Sequence, residues 1–549
     1  MHIDDQIYTV NGKTYRRALL RNSYRKDGKV CHNTIANLST CSKEEVAAIK
    51  LALTKKKNLA AVALPEKTLK TRQGLSVGAV WLLHHMAKRL GIADALGRCA
   101  DARLALWMVI AAVIGSVSRL SATRLAQTHA ACDILGLDCF CEDDLYGALD
   151  WLNEHQQAIE KRLFVGRYKD KKPTLYLYDV TSSYFEGEQN ELARYGYNRD
   201  GKNGKKQIVI GLLTDEAGRP VSCEVFPGNT SDMKTFSSQI EKVAQRFGIT
   251  QVTFVGDRGM IKQAQIDALS AENYHYITAL TKAQIQKLIN NKVVQLPLFA
   301  QNICEAEHNG IRYIYRRNPL RTEEIRESRK SKVNKVRELC TKKTAYLTEH
   351  PRAKTDVAQR AVNKMARKLK IDTWVTVCVH ERTLRVEINE TALTEEEKLD
   401  GCYVIKTDLS LQSAATQTVH DRYKSLADVE WAFRTMKTTL LHIRGIFVRK
   451  ANRTRAHVFT IMLAYLIAYE LRRLWRDIDV TIEEALEELS SLCSTEVLMG
   501  TVSVQTIPEP RQRVKQLLQA ANVTLPEAIP CRNATVHTRK KLVEERKSF

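Results

Sequence analysis

The feature of this sequence that most constrains its fold is a change of pattern at a polar break, residues 169–173. Before the break, over residues 75–164, apolar side chains recur at intervals of three and four, which predicts helices. After it, the pattern predicts four strands, a helix and a fifth strand, at 174–178, 207–213, 220–226, 251–255, 261–273 and 276–280. Strands that lead into a strand–helix–strand unit indicate an α/β sheet.

Residues 283–400 interrupt the predicted sheet. Short strand patterns flank a helical stretch there, at 293–299, 311–315, 374–379 and 385–388. A strand at 402–407 then returns the chain to the sheet, and helices are predicted at 419–441, at 454–473 and again up to about residue 500. The interruption is therefore predicted to be a β-rich insertion that also carries basic helices. The first 60 residues, broken at Asn11-Gly12 and Asp27-Gly28, predict a small basic β-hairpin module.

Positive charge gives the first functional indication. The chain has 85 Lys and Arg against 62 Asp and Glu, a formal net charge of +23, and residues 311–370 alone hold 19 against 6. Each phosphate that Lys or Arg neutralises releases counterions, so a polyanionic partner is favoured, and the concentration of charge points to nucleic acid. A basic but unspecialised protein is the plainer interpretation of the total charge alone.

Other function classes have less support. The 13 Cys show no zinc-site spacing, since the closest pair, Cys139 and Cys141, is separated by one residue. The longest apolar run, residues 104–115, is too short to cross a bilayer. The residues after Met1 lack the basic and apolar segments of a signal peptide. We therefore expect a cytoplasmic protein with reduced thiols and no membrane contact.

Three carboxylates are candidates for a metal site. Asp179 and Asp257 each follow a predicted strand, and Glu430 lies on the helix predicted at 419–441. If the strands are adjacent, both aspartates lie at one edge of the sheet, and the helix can add a third oxygen ligand. Mg²⁺ prefers such hard oxygen ligands, and two ions can support in-line phosphoryl transfer. Taken singly, each residue has an ordinary alternative: a strand-end cap, a turn aspartate, and a helical ion pair with Arg434.

The order and spacing of these residues resemble the pattern of a known protein family. Tyr423, Glu430 and Lys437 are spaced like the Y-x2-R-x3-E-x6-K signature of bacterial insertion-sequence transposases of the DDE class. Seven-residue steps along a helix would place all three on one stripe. The segments 178–184, 211–232, 255–259, 429–434 and 455–457 also resemble blocks of that family, in its branch with a long insertion before the Glu. The signature's Arg is replaced here by Leu426, so its phosphate contact would fall to another residue such as Lys424 or Arg434.

The resemblance implies a fold, an activity and partners. The fold would be α/β, with a ribonuclease-H-like catalytic core, a β-rich and basic helical insertion, and a mostly helical N-terminal DNA-binding region. Asp179, Asp257 and Glu430 would be catalytic and would bind two Mg²⁺ ions, for which Mn²⁺ can substitute. The substrates would be double-stranded DNA, namely the element's terminal inverted repeats and a target. The enzyme would act as a homodimer in the bacterial cytoplasm, associated with the nucleoid.

Eight residues are predicted to contact DNA. Some belong to the signature or flank the carboxylates, and others lie on the amphipathic stretch 360–370 or on a strand of the insertion: Tyr423, Lys437, Arg434, Arg258, Lys364, Arg367, Lys368 and Trp374. The cationic side chains would hold phosphates. Trp374 would stack on an unpaired base.

Six regions are expected along the chain. They are a basic β-rich module (1–70), a helical DNA-binding or dimerisation region (71–168), the first part of the core (169–282), the insertion (283–400), the second part of the core (401–475), and a C-terminal helical region with a basic tail (476–549). Three alternatives to a transposase remain open: a metal-dependent nuclease, a non-catalytic DNA-binding descendant, and a recombinase with Tyr423 as nucleophile.

Overall fold

The computed structural model describes the chain except for residues 11, 27, 55–68, 116–117, 188, 198, 203, 301–302, 442, 444–445, 500–501, 533 and 539–549. The expected basic tail lies largely outside the described residues. The N-terminal module is a three-stranded antiparallel sheet followed by one helix, so it is larger than the predicted hairpin. Its elements are β1 (His2–Val10), β2 (Lys13–Lys26), β3 (Lys29–Asn37) and α1 (Lys43–Thr54).

A helical region follows, as predicted. At its centre is an almost entirely buried helix, α4, whose Trp107 is fully enclosed and donates its indole N–H to the Ala122 carbonyl. The region comprises β4 (Leu69–Ser76), α2 (Gly78–Arg89), α3 (Ile92–Leu96), α4 (Ala100–Ile114), α5 (Arg119–Thr128), α6 (Ala131–Leu135), β5 (Phe140–Cys141) and α7 (Glu142–Arg167). An apolar helix of this kind is buried in a core rather than laid on a surface.

The first part of the predicted α/β sheet is present. Its elements are β6 (Leu175–Tyr184), β7 (Gln207–Asp215), β8 (Pro220–Pro227), α8 (Asp232–Phe247), β9 (Thr253–Gly256), α9 (Gln263–Ala271) and β10 (His275–Ala279). The strands β6, β7 and β8 form an antiparallel meander, and β9 pairs in parallel with both β6 and β10. Apolar side chains alternate between the two faces, because every second residue of a strand points the same way. Both faces of the sheet are covered.

The insertion differs from the β-rich expectation. More of its described residues are helical than extended: α10 (Lys282–Asn290), β11 (Cys304–His308), β12 (Ile311–Arg317), α11 (Pro319–Glu349), α12 (Thr355–Lys368), β13 (Val375–His380), β14 (Thr383–Ile388) and α13 (Glu390–Glu397). The strand predicted at 293–299 is wrong, because a 3-10 turn, Leu296–Ala300, containing Pro297 occupies its second half. The strands β11 and β12 extend the central sheet, so the expected boundary at 283 does not mark the sheet's edge.

The chain returns to the sheet through β15 (Cys402–Thr407), which lies between β12 and β10 and completes an eight-stranded mixed sheet. Three helices follow: α14 (Thr416–Lys424), α15 (Leu426–Arg434) and α16 (Ala451–Leu474). The single helix predicted at 419–441 is wrong in detail, because it breaks at Ser425 and its last part is a π-helical turn, Thr435–Thr439.

The C-terminal region contains α17 (Ile482–Ser490), β16 (Cys493–Met499), β17 (Val502–Thr506), α18 (Gln512–Ala520) and β18 (Val536–His537). The prediction of helix up to residue 500 is wrong, because β16 pairs with β4 and with β17. Strands more than 400 residues apart in the chain therefore meet in one small sheet, and this pairing cannot be anticipated from local sequence.

Candidate active site

Asp179 lies in the middle of β6, not at the end of a strand as expected. It continues the row formed by Leu175 and Leu177, which pack into the core on the side of α16. Residues i and i+2 of a strand share a face, so the Asp179 carboxylate lies on that side of the sheet. The parallel pairing sets Tyr178 opposite Gly256, which makes Asp257 the next position beside Asp179. The register thus confirms the predicted adjacency of the two strands.

Asp257 begins the turn after β9 and is exposed. Its Oδ1 accepts a hydrogen bond from the backbone N–H of Arg258 at 2.7 Å, and the Tyr423 hydroxyl donates to the same oxygen at 3.5 Å. The backbone carbonyl of Asp257 accepts from the N–H of Met260 and closes the turn. Burial and the nearby Asp257 carboxylate together raise the pKa of Tyr423, which therefore acts here as a hydrogen-bond donor.

Glu430 is exposed on α15, and α15 packs against β6. The new helix starts at Leu426, directly after the break at Ser425, and buries Val429, Ala432 and Phe433. Glu430 lies between these buried positions in sequence and is near enough to Asp179 for its charge to act on that carboxyl. The strand, the turn and the helix thus each carry one of the three predicted carboxylates.

The three carboxylates interact electrostatically. Burial, followed by the Asp257 and Glu430 charges, raises the pKa of Asp179 to about 7, against opposing contributions from the Val180 amide and Arg199. Among the described residues, no group of three His, Cys, Asp or Glu side chains lies close enough to hold one metal ion. The three carboxylates therefore lie near one another, but they are not close enough in this structure to coordinate a single ion together. Negative charges crowded in a partly buried place repel one another unless a cation offsets them.

Lys437, which was predicted to contact DNA, is instead buried. Its side chain is 8% exposed, and its Nζ lies 3.0 Å from Oδ1 of Asp200, whose side chain is 1% exposed. Asp200 also accepts the backbone N–H of Tyr184 at 3.3 Å, so this pair fastens the end of β6. The π-helical turn adds a residue per turn and rotates Lys437 away from the stripe that a continuous helix would give. In this structure Lys437 does not face solvent, where DNA would reach it.

The other seven residues that were predicted to contact DNA differ in exposure. Six remain accessible: Tyr423 is half-buried, and Arg258, Arg434, Lys364, Arg367 and Lys368 are exposed. The last three lie on α12, whose opposite face is buried through Ala358, Val362 and Ala366, as the amphipathic pattern predicted. Trp374 is a correction: it is 1% exposed in the core of the insertion, with the Arg329 guanidinium 6.0 Å from its ring centroid. A base cannot stack on a ring enclosed in this way.

The segment between β6 and β7 contributes residues that the sequence did not single out. Arg199 donates its Nη2 to both carboxylate oxygens of Asp232, at 2.6 and 2.7 Å, and its backbone N–H to Ser182 Oγ. Asp200 forms the ion pair with Lys437. Neither Arg199 nor Asp200 stood out in the sequence, because both lie in a polar loop without a helix or strand pattern. The Leu426 position is half-buried beside the main core, and Lys424 lies 5.2 Å from the Tyr403 ring centroid.

Comparison with known proteins agrees with this arrangement. Residues 170–467 match the family model described as the transposase DDE domain, and residues 7–63 match the N-terminal domain of IS1634 family transposases. The first match spans more than half of the chain and contains all three carboxylates. The chain therefore belongs to the DDE transposases of insertion sequences.

Solved structures give a weaker likeness. The piggyBac transposase in a synaptic complex with hairpin DNA is 8% identical, with a TM-score of 0.34 over 81% of this chain and 75% of that one. The Mos1 transposase in a paired-end complex with the left transposon end is 14% identical, with a TM-score of 0.14 over 33% of this chain and 58% of that one. These TM-scores are too low to transfer any feature. No curated protein matches the chain in sequence.

The protein is thus a transposase, an enzyme of the DDE polynucleotidyl-transferase class that acts on DNA, and divalent metal is the general cofactor of that class. No single described helix is long and apolar enough to cross a membrane; α4 and α5 meet that test only together, as a pair bent by 87°.

Proposed function

We propose that Asp179, Asp257 and Glu430 are the catalytic carboxylates and that they hold two Mg²⁺ ions, which Mn²⁺ can replace. The observation that carries this proposal is the register that makes Asp179 and Asp257 neighbours on parallel strands, with α15 and Glu430 packed against the first of them. The donor set consists of hard oxygens, which suits Mg²⁺. Asp257 and Glu430 are exposed, which leaves room for waters and substrate oxygens.

We also propose a ribonuclease-H-like core. Its support is the strand order β8-β7-β6-β9-β10, antiparallel in the first three strands and parallel from β6 to β10. In this arrangement the first aspartate lies on the central strand β6, and the second follows the strand beside it. The region boundaries predicted from the sequence stay a proposal, adjusted so that β11 and β12 belong to the central sheet.

The side chains around the carboxylates suggest how the site works. When bound, the two ions would activate the attacking oxygen and stabilise the leaving one during in-line phosphoryl transfer. The Tyr423 hydroxyl orients Asp257 by donating to its Oδ1. Arg258 and Arg434 are exposed next to Asp257 and Glu430, and we assign them to DNA phosphates. Buried Lys437 and Asp200 support the end of β6, which carries Asp179.

The proposed substrates are the element's terminal inverted repeats and a target duplex. Water is the first nucleophile, and the freed 3′-OH then attacks the target strand. We propose that the enzyme acts as a homodimer, so that two element ends are processed together. The exposed cations of α12 supply a further surface for the DNA backbone.

One experiment separates this proposal from its alternatives. The purified enzyme is incubated with a donor DNA that carries the presumed element ends and with a target plasmid, in Mg²⁺ or in chelator, and the products are sequenced. Metal-dependent joining of donor ends into the target supports the proposal. Cleavage without joining indicates a nuclease, and a DNA end covalently linked to Tyr423 would exclude the carboxylate mechanism.

A further inference from the structure

The N-terminal sheet has two different faces. One faces α1: Asp5 accepts from Lys50 Nζ at 3.1 Å, and Arg16 donates to the Cys41 carbonyl at 3.5 Å. The opposite face has no helix on it among the described elements. We call it the open face; it carries the odd-numbered residues of β2 from Lys13 to Arg25 and the residues paired with them on β1 and β3. Of these β2 residues, Leu19 in the middle is buried, Arg21 is half-buried and the others are exposed.

Positive charges form a regular row along the open face. Lys13, Arg17, Arg21 and Arg25 occupy every fourth position of β2, the central strand, and alternation of side chains places all four on one face. At about 3.3 Å per residue, the row extends for roughly 40 Å. Arg21 pairs with Asp4 at 3.0 Å, whereas the other three make no ion pair with a described residue. A core requirement cannot explain this row, because its members apart from Arg21 are exposed.

Hydrogen-bonding and aromatic side chains stand beside the cations. Gln6 lies directly opposite Arg17 in the register of β1 and β2. Tyr8 and Tyr15 are also a register pair, stacked with 6.0 Å between ring centroids, although each is 47% exposed. Ser23 Oγ lies 3.0 Å from Nδ1 of His32 across the next strand pair. The open face thus offers donors and acceptors together with positive charge.

The dimensions of the sheet fit one kind of nucleic acid. Three strands about 4.8 Å apart are roughly 10 Å wide, and the major groove of B-form DNA is roughly 12 Å wide. The right-handed twist of strands lets such a sheet follow a groove. In double-stranded RNA the major groove is deep and too narrow for side chains to be inserted. Shape and charge therefore favour duplex DNA.

We propose that the open face enters the major groove of duplex DNA and reads base sequence there. Arg17 and Gln6, at the centre, contact base edges, since Arg pairs with guanine and Gln with adenine in this groove. Lys13 and Arg25, toward the two ends of β2, hold phosphates. This inference rests on the proposed function only in that DNA is the substrate; it does not involve the carboxylates.

Selection from a library of duplexes with a random central segment tests the proposal. The full chain carrying Asp257→Asn is used, so that bound DNA is not cut. We expect it to enrich a defined sequence motif and to protect guanine N7 atoms of that motif from methylation, because N7 lies in the major groove. In the same background, Arg17→Ala should lower the affinity for the selected duplex by about 5- to 100-fold, and the motif should lose information at one or two positions.

Two neighbouring residues give a matched control. Arg25 and Lys26 are adjacent exposed cations of β2 that lie on opposite faces. Arg25→Ala should weaken binding to all duplexes and reduce the salt slope by about one, as expected for a phosphate contact. Lys26→Ala should change affinity less than about twofold, because its face does not enter the groove in this arrangement. Circular dichroism of each variant verifies that the module stays folded.

The inference is overturned if Arg17→Ala leaves the motif intact, if Arg25→Ala and Lys26→Ala weaken binding equally, or if the protected positions lie in the minor groove. Metal-dependent cleavage by the unmodified enzyme is measured separately. An enzyme that cleaves but enriches no sequence would contradict the open-face proposal and leave the proposed function in place. An enzyme that enriches a motif but never cleaves would contradict the proposed function and leave the open-face proposal in place.

Discussion

The central sheet and the N-terminal sheet use charged residues in opposite ways. Every residue of β7 is buried, and on neighbouring β6 the one carboxylate, Asp179, follows the buried Leu175 and Leu177 on the same face. In β2 only Ala18 and Leu19 are buried, and cations are spread along the strand. In the central sheet the proposed function depends on single residues such as Asp179, because few charged side chains lie on β6 and β7. An exposed sheet spreads its contacts, so loss of one residue should have a graded effect.

The largest effect is expected at the central sheet, where one atom exchange should stop the chemistry. Asp257→Asn keeps the shape of the side chain but removes the charge of a proposed metal ligand, and cleavage should fall by at least about 10³-fold. Binding to DNA should stay within about twofold, measured by gel shift. Asp267→Asn, at an exposed position of α9, is the control and should cleave normally. Loss of binding with Asp257→Asn would contradict the assigned role.

The next effect concerns stability at the same sheet. Lys437→Met leaves the buried Asp200 carboxylate without this partner, and the free energy of unfolding should fall by about 3 kcal/mol. Adding Asp200→Asn should recover most of that loss, because the remaining buried group is neutral. Lys424→Met, which removes an exposed lysine at the end of α14, should have little effect. Equal loss in the single and double variants would refute the pairing argument.

A smaller effect of opposite sign is expected at Asp179. Burial and the neighbouring carboxylates raise its pKa to about 7, so the cost of ionising it develops between about pH 4, the ordinary Asp pKa, and about pH 7, and is fully present above that. Asp179→Asn should therefore raise the free energy of unfolding by about 1 kcal/mol at pH 8 in chelator, while abolishing cleavage. Thermal unfolding measures the first quantity. A lower melting temperature for the variant would show that the carboxylate is not under strain from its neighbours.

The smallest effects belong to exposed cations and extend the comparison to the insertion. Each of Lys364→Ala, Arg367→Ala and Lys368→Ala should reduce the slope of log affinity against log salt by up to about 0.9, with little change in sequence preference. Lys330→Ala is the control, because Lys330 pairs with Glu327 at 2.7 Å, more closely than Arg367 with Asp372 at 3.9 Å. If one of the three abolished binding outright, α12 would be a specific site rather than a distributed surface.

The contrast also explains what the sequence could predict. The strands that carry or precede Asp179 and Asp257 followed from local sequence patterns, although Asp179 lies inside its strand and not at the end. The burial of Lys437 did not, because it depends on a π-helical turn and on Asp200, more than two hundred residues earlier in the chain. Strand β16 was predicted as helix because its partner β4 lies more than 400 residues earlier in the chain.

Two predictions for the insertion were wrong for other reasons. The apolar run at 293–299 looks like a strand by composition, yet Pro297 removes a backbone donor and the chain turns there. Trp374 was expected at the DNA because aromatic rings stack on bases, but its neighbours in the insertion, such as Val362 and Val375, bury it. Local chemistry suggested a role, and tertiary packing decided against it.

The central claim is that Asp179, Asp257 and Glu430 bind divalent metal together. The most direct measurement replaces Mg²⁺ with Fe²⁺ and uses ascorbate and peroxide to generate hydroxyl radicals that cut the polypeptide next to the bound ion. The account predicts backbone cuts close to residues 179, 257 and 430, which excess Mg²⁺ and the Asp257→Asn substitution both suppress. Cuts elsewhere, or cuts at these positions that neither treatment suppresses, would contradict it.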